Sequence, residues 1–284
     1  MRSSVDLHMH STASDGTDTP EELWEKVRRA GIKTFSLTDH DSIAGCAALE
    51  ALVPDDGSFL RGVEFSCVTP AGKCHILGYG YALSAPSMVH ALEAGRALRL
   101  AKLSRRLRHL REVHDIRFSQ EELDWLHHLD SPGKPHLAAL ILKQGRAATR
   151  TEAIQTYLDG CEGGDDRIDA RIAIEGILGG GGVPVWAHPL GGEGETPLSR
   201  AEFSAQLEVL LALGIQGMEC YYSRYPEEET AFLLAQAKAH GLLVSGGSDY
   251  HGAAKDIPLG RLNASGRAVS ARELTILTAK REKN

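Results

Sequence analysis

VDLHMHSTASDGTDTPEELWEKVRRAGIKTFSLTDHD, residues 5 to 41, is the stretch on which the reading of this chain turns. It opens as a short alternating strand. Val5, Leu7 and Met9 point one way, and Asp6, His8 and His10 the other. Two imidazoles on one strand face, two residues apart, are well shaped to hold one metal ion. Asp15 follows after a short polar loop. A helix is then signalled at both ends: Thr19 caps it, Pro20 suits its first position, Glu22 completes a capping box and Gly31 stops it. A second apolar strand, Thr34 to Leu37, runs into Thr38, Asp39, His40 and Asp41. The order is strand, metal-type residues, helix, strand, metal-type residues. That is half of a β/α site with its ligands at the C-terminal strand ends.

The rest of the chain sets bounds on this reading. Its 284 residues carry a formal charge of −7, which suits one large domain or a domain with an insertion. Acidic charge argues against general coating of nucleic acid, though not against a local basic cleft. No apolar run reaches the roughly 18 residues of a membrane span, so no membrane partner is expected. MRSSVDLHMH enters the candidate site at once, so no signal peptide is expected. The five cysteines, Cys46, Cys67, Cys74, Cys161 and Cys220, are scattered and form no CxxC pair, which predicts reduced thiols and a cytoplasmic location.

Beyond the opening unit, Gly45 to Leu52 reads as a helix, and Phe59–Val68 with Lys73–Tyr81 as a hairpin carrying Glu64 and His75 on its arms. From Ser87 to His114 the spacing becomes helical. Leu92, Leu100, Leu103, Leu107 and Leu110 form an apolar stripe opposite a basic face of Arg96, Arg99, Lys102, Arg105, Arg106, Arg108 and Arg111. That face reads as solvated helix surface. Ser119 with Glu122 forms a second capping box, Lys134-Pro135-His136 opens a helix that Gly145 can end, and Thr151 to Leu158 is a shorter one. Residues 85–176 show no strand signal and read as a helical insertion into a domain made of residues 1–84 and 177–284. The run Gly179 to Gly182 reads as a linker or turn. The β/α rhythm then resumes: Val183–Ala187 ends in His188, Ile215–Tyr222 is a strand, and Leu242–Ser245 leads into Gly246-Gly247-Ser248-Asp249-Tyr250-His251.

Nine candidate ligands collect at the strand ends: His8, His10, Asp15, His40, Glu64, His75, His188, Asp249 and His251. Taken alone, His75 reads more readily as a structural strand residue, and His188 as a residue that merely ends a strand before proline. Together, nine N/O donors suit two or three divalent ions such as Mn, Zn or Fe, and the lack of cysteine among them leans away from a structural zinc cage. Adjacent divalent ions hold a hydroxide at neutral pH and neutralise a phosphoryl group, so a phosphate monoester or diester suits such a site. A neighbouring histidine or aspartate can protonate the leaving oxygen. There is no GxSxG, Walker A or dinucleotide fingerprint to support another chemistry.

DLHMHSTASDG followed by LTDHDSIAG resembles the PHP (polymerase and histidinol phosphatase) family of metal-dependent phosphoesterases over about residues 1–82 and 183–262. The resemblance implies a distorted (β/α)7-type barrel with the inserted helical subdomain over the active site. It also implies an allocation of ligands. His8, His10, Glu64 and Asp249 would hold one ion, Glu64 would bridge to a second completed by His75 and His188, and Asp15, His40 and His251 would hold a third. Asp15, His40, Glu64, Asp249 and His251 are then the expected catalytic residues. Lys134 and His136 resemble a short substrate-side motif, and Arg171 or Arg200 is the expected contact for a second phosphate. The implied substrate is a small phosphorylated metabolite, such as a nucleoside 3′,5′-bisphosphate or a ribose cyclic phosphate. Short RNA cleaved 5′-to-3′, histidinol phosphate, a C–N bond, or a non-catalytic module of this fold are the alternatives.

Overall fold

The computed structural model describes residues 2–161, 167–192 and 196–281. Two short strands, β1 (Val5–Asp6) and β2 (Thr34–Phe35), pair in parallel in the register Val5 to Thr34 and Asp6 to Phe35. The helix α1 (Pro20–Ala30) joins them and is built as its ends dictate. The Thr19 hydroxyl accepts from the Glu22 amide, the Glu22 carboxylate accepts from the Thr19 amide, and Gly31 closes the helix at φ 74°. Both strands are shorter than the alternation predicts, yet the alternation itself persists through His10. Every residue from Val5 to His10 is buried. Met9 packs with Leu23, Val27, Phe35 and Leu37 beneath α1. The histidines on the opposite side meet groups from the far end of the chain. A strand covered on both faces loses the inside–outside contrast but keeps its period of two.

After α2 (Ala44–Glu50) comes the hairpin of β3 (Gly62–Thr69) and β4 (Gly72–Tyr79), antiparallel from Gly62 opposite Tyr79 to Thr69 opposite Gly72. The chain continues through α3 (Pro86–His114), α4 (Gln120–His128), α5 (Lys134–Lys143), α6 (Arg150–Tyr157), β5 (Ile168–Asp169), α7 (Ala170–Gly179), β6 (Val183–Trp186), α8 (Arg200–Leu213), β7 (Gly217–Tyr222), α9 (Glu227–Ala239), β8 (Leu243–Gly247) and α10 (Ile276–Arg281). Six strands form one sheet in the order β5-β3-β4-β6-β7-β8. Single bridges, Met9 to Tyr250, Phe35 to Phe59 and His40 to Glu64, link it to the β1–β2 pair. The fold is α/β, with helices outside the strands, and its sheets meet through these bridges rather than through one continuous ladder. Among the described residues, no helix is long and apolar enough to cross a membrane.

The helical segment has its own core, in which Leu103, Leu110, Leu126, Leu137, Ile141 and Ala153 cluster. Its boundary differs from the sequence expectation. Ile168, Ala173, Ile174 and Ile177 pack in the core of the large sheet, and β5 pairs with β3 at Cys67 and Val68. The sheet-bearing unit therefore resumes near Ile168, not at 177. Two-residue β5 is too short to show a period. The glycine run after α7 drew the boundary too far along, although it is only the turn in which Gly181 takes φ 75°. At the other end α3 belongs to both cores, with Met88 and Ala91 on the sheet and Leu103 and Leu110 among the helices.

Candidate metal centre

All nine candidate ligands converge. His8 and His10 follow β1, Asp15 lies in the loop beyond them, His40 follows β2, Glu64 and His75 come diagonally from β3 and β4, His188 follows β6, and Asp249 and His251 follow β8. The strands end in strained backbone here. Asp41, His188 and Asp249 all have positive φ (50°, 27° and 58°), a region costing side-chain-bearing residues on the order of 1–3 kcal/mol. Tertiary contacts hold the turns in place. Asp39, the middle residue of the Thr38-Asp39-His40 triplet, accepts from the Ser11 amide (2.8 Å), the Ser11 hydroxyl (2.7 Å) and the Ser14 hydroxyl (2.6 Å). It thus ties the loop that carries Asp15 to the end of β2, while His40 faces the centre.

Glu64 sits in the middle. Its Oε2 lies 3.2 Å from His8 Nε2, His10 Nε2 and His40 Nδ1, and its Oε1 lies 3.0 Å from His75 Nδ1 and 3.1 Å from His188 Nε2. Asp249 Oδ1 is 3.4 Å from His10 Nε2 and 3.6 Å from His8 Nε2. On the more open side, Asp15 Oδ1 is 3.3 Å from His251 Nε2, and Asp15 Oδ2 is 3.8 Å from His40 Nε2. Three overlapping donor groups could each hold an ion: His8, His10 and Asp249; His10, Asp15, His40 and His251; and His40, Glu64 and His75.

The chemistry of the donors fits divalent metal. His8 Nε2, His10 Nε2 and His40 Nδ1 are buried and make no hydrogen bond, although each lies 3.2 Å from a carboxylate oxygen. Buried polar atoms are almost always bonded, so several orphaned imidazole nitrogens aimed at one space mark a ligand set. Outer contacts fix which nitrogen points inward. His8 Nδ1 donates to Glu219 Oε1 at 2.9 Å, and Glu219 Oε2 accepts from the His188 amide at 2.8 Å. His251 Nδ1 donates to the Asp249 carbonyl at 2.9 Å. Each bond leaves the opposite Nε2 free to ligate. Asp249 Oδ2 accepts from Lys255 Nζ (2.7 Å) and the Tyr222 hydroxyl (2.9 Å), which leaves Oδ1 for the centre.

Without metal, the imidazoles of this cluster divide: burial holds His40 and His251 down, while His8 and His10 are raised. Burial alone would depress the His8 and His10 imidazoles. Glu219, Glu64 and Asp249 nevertheless hold His8 well above its ordinary value, and Asp249 with Glu64 pushes His10 up to about 9. Burial likewise opposes ionisation of Asp15, Glu64 and Asp249. Neighbouring imidazoles and Lys255 prevail and hold all three well below the usual carboxylate range: His251 and His40 for Asp15, His8, His40 and His75 for Glu64, Lys255 and His251 for Asp249.

The four residues expected on the substrate side lie in different surroundings. Arg171, near the start of α7, lies 3.9 Å from Glu175 on its own helix, and Arg200, at the start of α8, stacks 3.7 Å over Phe232. Neither makes a hydrogen bond or ion pair with a candidate ligand; the Arg171 and Arg200 side chains are exposed. Lys134 is paired with Asp159 inside the insertion. His136 accepts from the Gly133 amide at 3.0 Å and feels the charge of Asp15. The basic face of α3 is not uniformly solvated. Arg108 and Arg111 are exposed, whereas Arg99 and Lys102 are half-buried and Arg106 is buried. Sequence reasoning also missed Glu219, Lys255 and Arg167. Glu219 had a signal, a carboxylate inside the otherwise apolar strand GMECYY, whereas Lys255 and Arg167 sit in loops with none. A cavity of about 210 Å³ lies over the centre, lined by Asp15, His40, His75, Asp249, His251 and Lys255 among others. A second, of about 360 Å³, shares His75 and His188 with it and continues past Arg167, Trp186 and Leu198.

Residues 6–118 match the PHP domain. A phosphoribosyl 1,2-cyclic phosphate 1,2-diphosphodiesterase of Eggerthella lenta is 30% identical over 264 residues, covering 89% of this chain and 96% of the relative. A 3′,5′-nucleoside bisphosphate phosphatase of Chromobacterium violaceum is 27% identical over 252 residues, 87% of each chain. A 5′-3′ exoribonuclease of Haemophilus influenzae is 29% identical over 265 residues, 92% of this chain and 94% of that one. The crystal structure of a Bifidobacterium adolescentis protein assigned as a metal-dependent phosphoesterase superposes with a TM-score of 0.77 at 28% identity, covering 96% of both chains. With most of its length aligned to such relatives and its histidines and carboxylates gathered at the strand ends, the chain belongs to the PHP family of metal-dependent phosphoesterases.

Proposed function

We propose that this phosphoesterase hydrolyses a small phosphorylated metabolite, a nucleoside 3′,5′-bisphosphate or a ribose cyclic phosphate, at a centre of two or three divalent ions (Mn, Zn or Fe). The observation that carries the reading is Glu64, whose two oxygens face two different sets of imidazoles. A carboxylate in that position suits a bridge between ions. When bound, such ions withdraw charge from a phosphoryl group and lower the pKa of a coordinated water. The residues around them have separable tasks. His8, His10, Glu64 and Asp249 form the buried floor. Asp15, His40 and His75 are the more open members, with 23%, 12% and 13% of their side-chain surface exposed, so the substrate meets them first. Asp15, His40 and His251 also stand where a proton can be passed to a leaving oxygen. The adjoining cavity past His75 and His188 gives the rest of a nucleotide room.

His136 of the insertion, within the field of Asp15, is the group we place over the substrate, with Lys134 beside it. We further propose that β1, β2, β3, β4, β6, β7 and β8 act as a distorted seven-stranded barrel closed through the single bridges, that the helices of the insertion form its lid, and that the free cysteines suit a cytoplasmic location. A second reading, 5′-to-3′ cleavage of short RNA, is favoured by the similarity to the exoribonuclease and by the basic residues of α3.

Phosphate release tests the reading. Adenosine 3′,5′-bisphosphate and p-nitrophenyl phosphate should both be hydrolysed with Mn and neither after chelation, the bisphosphate with the higher kcat/KM. Turnover confined to 5′-phosphorylated oligoribonucleotides would select the second reading.

A further inference from the structure

We propose that Lys255 touches the reacting phosphoryl group as well as Asp249, so that one ammonium serves both a candidate ligand and the ester above it. The proposal deepens the phosphoesterase reading and rests on it: it needs a phosphoryl group over the metal centre, whichever ester carries that group. Lys255 arrives from a loop with little freedom. β8 ends at Gly247, and the chain runs through Asp249 and His251 into a short 3₁₀ turn, Gly252–Ala254. The Ala253 amide donates to Thr17 Oγ1 at 2.8 Å, and a Cβ on Gly252, which has φ 66°, would stand 2.1 Å from that same oxygen. The turn is thus pressed onto the loop that follows Asp15. Lys255 leaves it in extended backbone, with φ −129° and ψ 141°. Its side chain, 21% exposed, reaches back to the centre, where Nζ donates to Asp249 Oδ2 at 2.7 Å.

An ammonium carries three protons. Among the described residues, Asp249 accepts the one hydrogen bond that Lys255 Nζ makes. Lys255 also lines the cavity of about 210 Å³ over the centre, and among the described residues of that lining it is the only lysine or arginine. It lies in the fields of Asp15, on the open side, and of Glu64, in the floor, as well as in that of Asp249. A phosphoryl group seated in that cavity therefore meets one side-chain cation on its walls. Holding Asp249 is too small a task to explain the lysine, because the Tyr222 hydroxyl donates to the same Oδ2 at 2.9 Å. A fixed positive charge here also works against the binding of divalent cations among the donors. It becomes favourable once an oxyanion arrives, and more so as negative charge spreads over the phosphoryl oxygens in the transition state. A lysine suits the place as a compact point charge that can keep one proton on Asp249 and turn another to the ester.

The test reads two quantities on the Mn-loaded protein: binding of inorganic phosphate by calorimetry, and kcat/KM for p-nitrophenyl phosphate. Lys255→Gln should weaken phosphate binding about tenfold or more, the size of one lost charge-assisted contact, and lower kcat/KM at least as much. Lys255→Arg, which keeps the charge, should recover part of both. Mn affinity of Lys255→Gln, titrated on the same samples, should hold or tighten, because a positive charge has left the wall. A lysine that only holds Asp249 would give the opposite pattern: weaker Mn binding, with phosphate affinity and turnover restored by excess Mn. That pattern would overturn the proposal, as would native phosphate affinity in a folded, metal-replete Lys255→Gln. Where circular dichroism shows the Gln variant misfolded, Lys255→Met, similar in length and uncharged, takes its place and the same outcomes decide. If the native protein binds phosphate but cleaves no p-nitrophenyl phosphate, the calorimetry decides alone. A native, Mn-loaded protein that binds no phosphate would fault the phosphoesterase reading itself, and Lys255 with it.

Discussion

Glu219 shows how a residue outside the candidate ligand set can control that set. It is fully buried, one oxygen accepts from His8 Nδ1 and the other from the His188 amide. It therefore sets the tautomer of one candidate ligand and the backbone position of another. Glu219→Gln keeps the shape but removes the charge, and its amide can present a donor to His8 Nδ1 where an acceptor is needed. Loss of such an outer partner typically costs about 10- to 100-fold in metal affinity. We expect a loss in that range, measured by Mn titration, with the far-UV circular dichroism of the native protein retained. Unchanged affinity would show that His8 needs no help to present Nε2.

At the scale of elements, β8 must lie almost against the chain that carries His8. The Leu7 amide donates to the Gly246 carbonyl at 3.2 Å, and a Cβ on Gly247 would stand 2.2 Å from His8 Cβ and 2.4 Å from His8 N. The second contact is backbone, so it cannot be relieved by a rotamer change. Gly247→Ala should thus lower stability by roughly 1–3 kcal/mol, as overpacking does, and reduce bound metal with it. A thermal melt and metal analysis of the same sample check this, and a variant as stable and as metal-rich as the parent would show that β8 can shift freely. The close fit also explains what was legible in the sequence. His8, His10, His40, Asp249 and His251 stand at strand ends beside caps and glycines that announce those ends, so their spacing could be read. The hairpin that carries Glu64 and His75 was visible through its Thr69–Gly72 turn. What could not be read were contacts between segments distant in sequence: Glu219 on His8, Lys255 on Asp249, and the turning of Lys102 and Arg106 inward. A helix face looks the same in sequence whether water or another part of the protein lies opposite it, and β5 is too short to carry any pattern.

For the whole molecule, metal and protons compete for the same buried atoms, and the sign of that competition can be worked out. In the metal-free protein His10 is pushed from 6.5 up to about 9, chiefly by Asp249 and Glu64 working against burial. A group whose folded pKa is raised contributes stability below its unfolded value, about 6.5, and that contribution is lost as pH climbs through 9. His8, also raised, acts in the same direction. The depressed carboxylates Asp15, Glu64 and Asp249 act oppositely, contributing above about pH 4 and losing it only in acid. The chelated protein should therefore become less stable between pH 6.5 and 9. Bound metal reverses the trend, because the imidazoles must shed protons to ligate, so uptake releases protons and tightens as pH rises. Melting temperatures of the chelated and Mn-loaded protein at pH 6 and pH 9 should diverge, the first falling and the second holding or rising. Calorimetric titration of Mn near pH 7 in buffers of different ionisation enthalpy should report net proton release. Parallel melting curves with no proton release would mean that the ion binds elsewhere than among His8, His10 and Glu64.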